Sequence, residues 1–169
     1  MWSPERGPRD RLVLRAVLAA LLATVARPAR AQTTLTLISG AAVGFPAPTG
    51  ADYAGGALAA TAGVTFEVSA TSGAAAQRTT TIAIRAASPT LGGYGKPVGD
   101  LEWSVGSPAG PWTPLTTSDI TVEARPVRKN KLNDPWSDTI YFRVLLSWMN
   151  DPPGSYSGGL VITLTTTSP

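Results

Sequence analysis

The side chains able to do chemistry in this 169-residue chain are few, and the absentees narrow the field first. There is no His and no Cys. That removes Cys/His zinc sites, His- or Cys-ligated haem, cysteine-held iron–sulfur clusters, a Cys nucleophile and a Ser-His-Asp triad. A pair of carboxylates is the familiar acid/base route that remains. Asp100, Glu102, Glu67 and Glu123 are the candidates, but each lies at the start or on the polar face of an alternating segment. Catalysis is therefore not expected, and no cofactor is implied. Asn130, Asn133, Asp134 and Asp138 offer oxygen ligands in a pattern that matches no EF-hand loop, and Asn-Asp-Pro is an ordinary turn signal. No metal site is expected from them.

Two features could bind rather than catalyse. Trp112 (Gly-Pro-Trp-Thr-Pro) and Trp136 (Asp-Pro-Trp-Ser-Asp) sit between prolines and acids in loop-like sequence. Aromatic rings in such loops either stack against a sugar or plug the end of a fold. Arg125, Arg128, Lys129 and Lys131 place four positive charges within seven residues. They form either a contact for an anionic polymer or a solvated loop balanced by Asp134 and Asp138.

These groups belong to a chain with two compositional parts. Arg6, Arg9, Arg11 and Arg15 precede and enter an apolar run, Ala16 to Ala26, followed by Ala29-Arg30-Ala31. A basic front, a short apolar centre and a small-x-small end are the pattern of a secretory leader. A run of eleven residues, apolar except for Thr24, is too short for a bilayer span, which needs about 20. Cleavage is expected after Ala31, leaving residues 32–169 as one exported domain with no membrane span. The leader holds six of the 14 basic residues and two of the 11 acidic ones. The remainder thus carries eight against nine, a net charge of −1, and lacks the basic footprint that nucleic acid requires.

The elements that must position the candidates read as short strands. Residues 32–169 hold 20 Thr, a β-branched residue suited to the wet face of a sheet. Alternation marks Thr34–Leu37, Val64–Val68, Thr81–Arg85, Leu101–Val105, Ile120–Ala124, Ile140–Trp148 and Leu160–Thr165. Within these, Trp103 and Trp148 fall on the apolar faces and are expected in the core. Gly/Pro clusters at 46–50, 92–95, 107–111 and 150–154 separate the segments. The Ala-rich stretch from Gly55 to Ala62 is the one place for a turn of helix, and its glycines weaken that reading. About seven short strands, no internal repeat and no linker predict an antiparallel β-sandwich of immunoglobulin-like type. An outer-membrane barrel would need longer strands, of about 9–11 residues.

The segment Asp151-Pro-Pro-Gly154-Ser-Tyr156-Ser-Gly-Gly-Leu160 is the most structured motif. A turn holding Gly154 leads into a strand, and Tyr156 stands where sandwich domains place a corner tyrosine whose hydroxyl binds upstream backbone. The ending PGSYSGGLVITLT resembles the last hairpin of secreted bacterial sandwich modules, the spore-coat-U-like and fimbrial-subunit-like proteins. That resemblance covers roughly the last 20 residues and the leader-then-strands layout. It implies a non-catalytic surface or pilus-like role, periplasmic, cell-surface or extracellular. On that reading the first strand, with Leu35 and Leu37 alternating against Thr, pairs within its own sheet or with another copy or another surface protein by strand addition. The alternative is an extracytoplasmic glycan or anionic-polymer module, with Trp112, Trp136 and the 125–131 loop gathered at one end.

Overall fold

A computed structural model describes residues 33–40, 42–70, 78–92, 95–127, 136–152 and 156–167. The leader expected at 1–31 lies outside these residues, as do Arg128, Lys129, Lys131 and Gly154. Every strand pairing is antiparallel, and the architecture is an all-β sandwich.

The larger sheet runs β1 (Thr33–Ser39), β3 (Val64–Ala70), β10 (Trp136–Leu145), β7 (Leu101–Val105) and β8 (Thr113–Pro114), and β2 (Ala57–Ala59) pairs with the far end of β10. The smaller sheet runs β11 (Leu160–Thr167), β4 (Arg78–Ala86) and β9 (Ile120–Val127). A two-stranded ribbon, β5 (Thr90–Leu91) with β6 (Lys96–Pro97), leads through a 3-10 turn at Val98–Asp100 into β7. Each of the seven alternating segments contains a strand. The four additional ones, β2, β5, β6 and β8, are only two or three residues long, too short for a period of two to register in sequence.

Side-chain alternation builds the core. Val64, Phe66 and Val68 of β3 and Ile140, Phe142 and Val144 of β10 point inward from the larger sheet. Ile82 and Ile84 of β4 meet them from the smaller one, and all eight are essentially without solvent contact. The buried hydroxyl of Thr80 donates to the Arg125 carbonyl at 3.0 Å, so its polar atom is satisfied. On the outer face, register pairs polar groups that complement each other: Thr65 opposes Thr139 with hydroxyls 3.0 Å apart, and Arg143 opposes Glu102 with Nε 2.6 Å from Oε2.

Two expectations are corrected. Helix α1 occupies Gly50–Gly55, ahead of the Ala-rich stretch, whose Ala57–Ala59 is strand β2. A capping box decides this: Thr49 Oγ1 accepts from Asp52 N, and Asp52 returns the bond to the Thr49 backbone N–H at 2.8 Å. Trp148 is not core. Strand β10 ends at Leu145, and a turn follows in which the Ser147 carbonyl accepts from the N–H groups of Asn150 and Asp151. The break in period leaves Trp148 66% exposed, its ring stacked on Tyr53 at 4.5 Å. Trp103, by contrast, is buried as expected.

Phe142 is central to both layers, so Phe142→Ala should lower unfolding free energy by about 3–5 kcal/mol, read from the urea midpoint at unchanged slope. The Asp52 carboxylate is held below its usual 3.8 by hydrogen bonds from the Thr49 side chain first and its backbone second. Its folded value lies below its unfolded one, so its contribution is present above that ordinary value and fades as pH falls through the lowered one. The thermal midpoint of Asp52→Asn should therefore fall below that of the parent at neutral pH, and the gap should close in strong acid.

Candidate functional site

The two sheets do not close along one side. Among the described residues, β1 ends the larger sheet and β11 ends the smaller one, each with its outer backbone edge unpaired by another strand. Between these edges lies an apolar cavity of about 580 Å³. Leu35 and Leu37 of β1 and Leu160 and Ile162 of β11 form its two walls. Val43 and Phe45, from the segment after β1, line it as well, and Phe142 and Val144 of the core reach it from β10. A sandwich of this size would ordinarily fill such space with side chains.

Local chemistry holds the cleft open. Leu35 and Leu37 stand opposite Val68 and Phe66, and register then shifts so that Ser39 faces Thr65. Ile38 is the extra residue of this bulge and is 56% exposed, while Leu37 is 47% exposed. Gly40 follows at φ +80°, where a Cβ would come within 2.6 Å of the Gly63 carbonyl oxygen. Any larger residue there would push the end of β1 away from β3. On the opposite wall, the chain enters β11 through Ser157-Gly-Gly, clamped by Gly92 N–H to the Ser157 carbonyl at 2.6 Å and Ala87 N–H to the Gly159 carbonyl at 2.8 Å. Tyr156 lines the cavity and donates its hydroxyl to the Pro152 carbonyl at 2.7 Å, four residues upstream.

Behind Tyr156 lies a buried ionic cluster that the sequence did not flag. Lys96 Nζ is 2.7 Å from Asp151 Oδ1 and 2.8 Å from Asp100 Oδ2, with the Tyr156 ring centroid at 5.8 Å. Burial pushes the Lys96 ammonium down, but hydrogen bonds and charge from Asp100 and Asp151 outweigh it and hold it above its ordinary value. Lys96 follows directly on the Gly92–Gly95 cluster, and nothing local in the sequence signals that a carboxylate 55 residues away will meet it.

The loop residues singled out by sequence part company. Arg125 and Trp136 meet, the guanidinium lying 4.7 Å from the ring centroid, while Phe66 meets the same indole edge-on at 5.6 Å. Arg125 also pairs with Glu123 and lies 3.6 Å from Asp138. Trp112 is elsewhere, 4.6 Å beneath the Arg143 guanidinium. Trp136 opens β10 and Arg143 lies seven residues along it, about 23 Å at strand spacing. The two indoles thus form no shared platform, and each has a ring face already covered by an arginine. Trp112 instead borders a smaller cavity of about 230 Å³ with Ala60, Gly63 and Tyr141. Among the described residues the exposed aromatic is Trp148, beside Met149, which is nearly fully exposed. Alternation alone hid it, because the Ile140–Trp148 period breaks three residues early.

Of the four carboxylates considered for acid/base work, three face a cation, Asp100 with Lys96, Glu102 with Arg143 and Glu123 with Arg125, while Glu67 lies apart from them on β3. Among the described residues no group of acidic side chains converges as a metal site, and no helix is long and apolar enough to cross a membrane. No family model matches this chain, and no curated protein or solved structure matches it.

Trp148 touches little beyond Tyr53, so Trp148→Ala should cost no more than about 1.5 kcal/mol, whereas Trp103→Ala should cost about 3–5 kcal/mol. Acrylamide quenching of indole fluorescence should fall most in the Trp148 variant.

Proposed function

We propose that this chain is a non-catalytic exported subunit of a bacterial surface or pilus-like assembly, joined to further copies by strand addition along its open side. The observation that carries the reading is the pairing of two free sheet edges with an apolar cavity between them. A strand laid in the cleft gains backbone hydrogen bonds from β1 or β11 and buries alternate side chains in the cavity. An exposed edge is ordinarily blunted by charge, proline or a covering loop. In β1 (TTLTLIS) there is no charge and no proline, and Leu37 and Ile38 are exposed. The occupant that fits is the open edge of β1 (Thr33–Ser39) of another copy, still paired with its own β3 and laid against β11, a head-to-tail contact that can repeat from copy to copy. Export, expected from the basic-apolar-small pattern of residues 1–31, would deliver the domain to where such assemblies form.

The glycan-module alternative has less support. Arg125 over Trp136 and Arg143 over Trp112 leave neither indole bare, and the two stand far apart.

Sedimentation and native gels test the reading. The purified protein should form concentration-dependent ladders, and deletion of residues 32–39 should abolish them. Leu37→Lys, placing charge in the cleft while β1 remains, should weaken assembly at least about tenfold, consistent with the ~1.5–3 kcal/mol of one buried leucine. A protein that stays monomeric at high concentration would overturn the proposal.

A further inference from the structure

The Lys96 cluster has the composition and geometry of a condensation site. The Lys96 side chain is 3% exposed and that of Asp151 6%, whereas Asp100, the third member, is 37% exposed. Nζ stands 2.7 Å from one oxygen of Asp151. The other oxygen, Oδ2, accepts the Ser147 backbone N–H at 2.7 Å. Tyr53 donates its hydroxyl to the Asp151 carbonyl at 3.1 Å, fixing the backbone beneath that carboxyl. An amine and a carboxyl are thus held in contact, with a hydrogen-bond donor on the oxygen where negative charge would develop and a second carboxylate on the amine.

We propose that Lys96 and Asp151 condense to an amide cross-link within the folded chain, with Asp100 carrying the proton. In water the ionised pair is favoured by hydration of both charges, and condensation does not proceed. Burial strips much of that hydration, and although Asp100 and Asp151 keep the Lys96 ammonium charged at rest, Nζ and Oδ1 are 2.7 Å apart, so a proton can pass directly between them to give the reactive minor form. The ammonium passes one proton to Oδ1 of Asp151, leaving a lone pair on Nζ. Nζ attacks Cγ of Asp151, forming the C–N bond, and the carbonyl electron pair moves onto Oδ2, where the Ser147 N–H stabilises it. Asp100 takes a proton from the now cationic nitrogen and delivers it to Oδ1. The Cγ–Oδ1 bond breaks, Oδ1 leaves as water, and the carbonyl reforms at Oδ2. One ammonium and one carboxylate have become one amide and one water, Asp100 is ionised again, and no oxidant or reductant is consumed. The amide N–H then donates to Asp100.

The geometry distinguishes the two acids. Asp151 is the electrophile, being buried and polarised by the Ser147 N–H. Asp100, four residues from Lys96 and more solvated, is the base. The product ties β6 to the turn after β10 across 55 residues of sequence, in a chain with no cysteine to make such a tie.

Intact mass spectrometry of the purified, denatured protein tests this, with its first residue fixed by peptide mapping. The chain should weigh one water less than its sequence, and digestion should yield one branched species joining the Lys96 and Asp151 peptides. A succinimide loses the same water but leaves the peptides linear, and that result would overturn the proposal, as would the full sequence mass. Lys96→Arg and Asp100→Asn should each restore the full mass, with circular dichroism checking the strand signal. Persistence of the branched species in Asp100→Asn would overturn the role given to Asp100. Should either variant fail to fold, the mass of the parent protein still decides.

Discussion

Contact between Phe66 and Phe142 on one layer and Ile82 and Ile84 on the other is the constraint from which the remaining structure follows. These side chains come from β3, β10 and β4, the inner strands of their sheets, and they are sealed from solvent. With no cysteine, the domain has no disulfide to share the task of holding the layers together. Central strands can be anchored this way at modest size, but peripheral ones cannot all be. Burial accordingly decays outward: β3, and β10 from Ile140 on, alternate between buried and half-buried, whereas most of β1 is exposed and no residue of β11 is fully buried. The cleft lies where burial runs thin.

How much of this was legible follows from the range over which each signal acts. A period of two is local, so β3, β4, β7, β9 and β11 could be read directly, as could the buried face holding Trp103. Alternation in the β10 segment runs on to Trp148 because a period of two by itself carries no stop. The stop comes from Ser147 and Asp151, whose mutual hydrogen bonds close a turn. The helix is encoded by Thr49-x-x-Asp52, whereas the Ala content that favours helix lies one element downstream, in and around β2. The Lys96 cluster and the cleft are long-range properties. Each exists because segments tens of residues apart converge, and no spacing in the sequence encodes that meeting. Arg125 and Trp136 are eleven residues apart in sequence and still meet, because the end of β9 and the start of β10 place them side by side, whereas Trp112 is carried to the far end of β10.

The described cations fall into two kinds of use. Arg85, Arg125 and Arg143 lie over the outer faces, pairing with acids and, for the latter two, spreading their planar heads over indoles. These pairs are half-exposed and worth little individually. Lys96 is different, a compact charge drawn into the interior between two carboxylates. The outer pairs shape the surface, while the inner one connects the ribbon before β7 to the turn after β10.

The bulge at Ile38 has a geometric consequence for any strand laid along β1. Hydrogen-bonding groups keep an even rhythm from Thr33 to Leu37 and lose it at the extra residue. A visiting strand can stay in step for only about five positions before donors and acceptors fall out of phase. Under the proposed strand addition, the kink would work as a ruler: it would mark where an added strand must end and so set a uniform stride from one copy to the next.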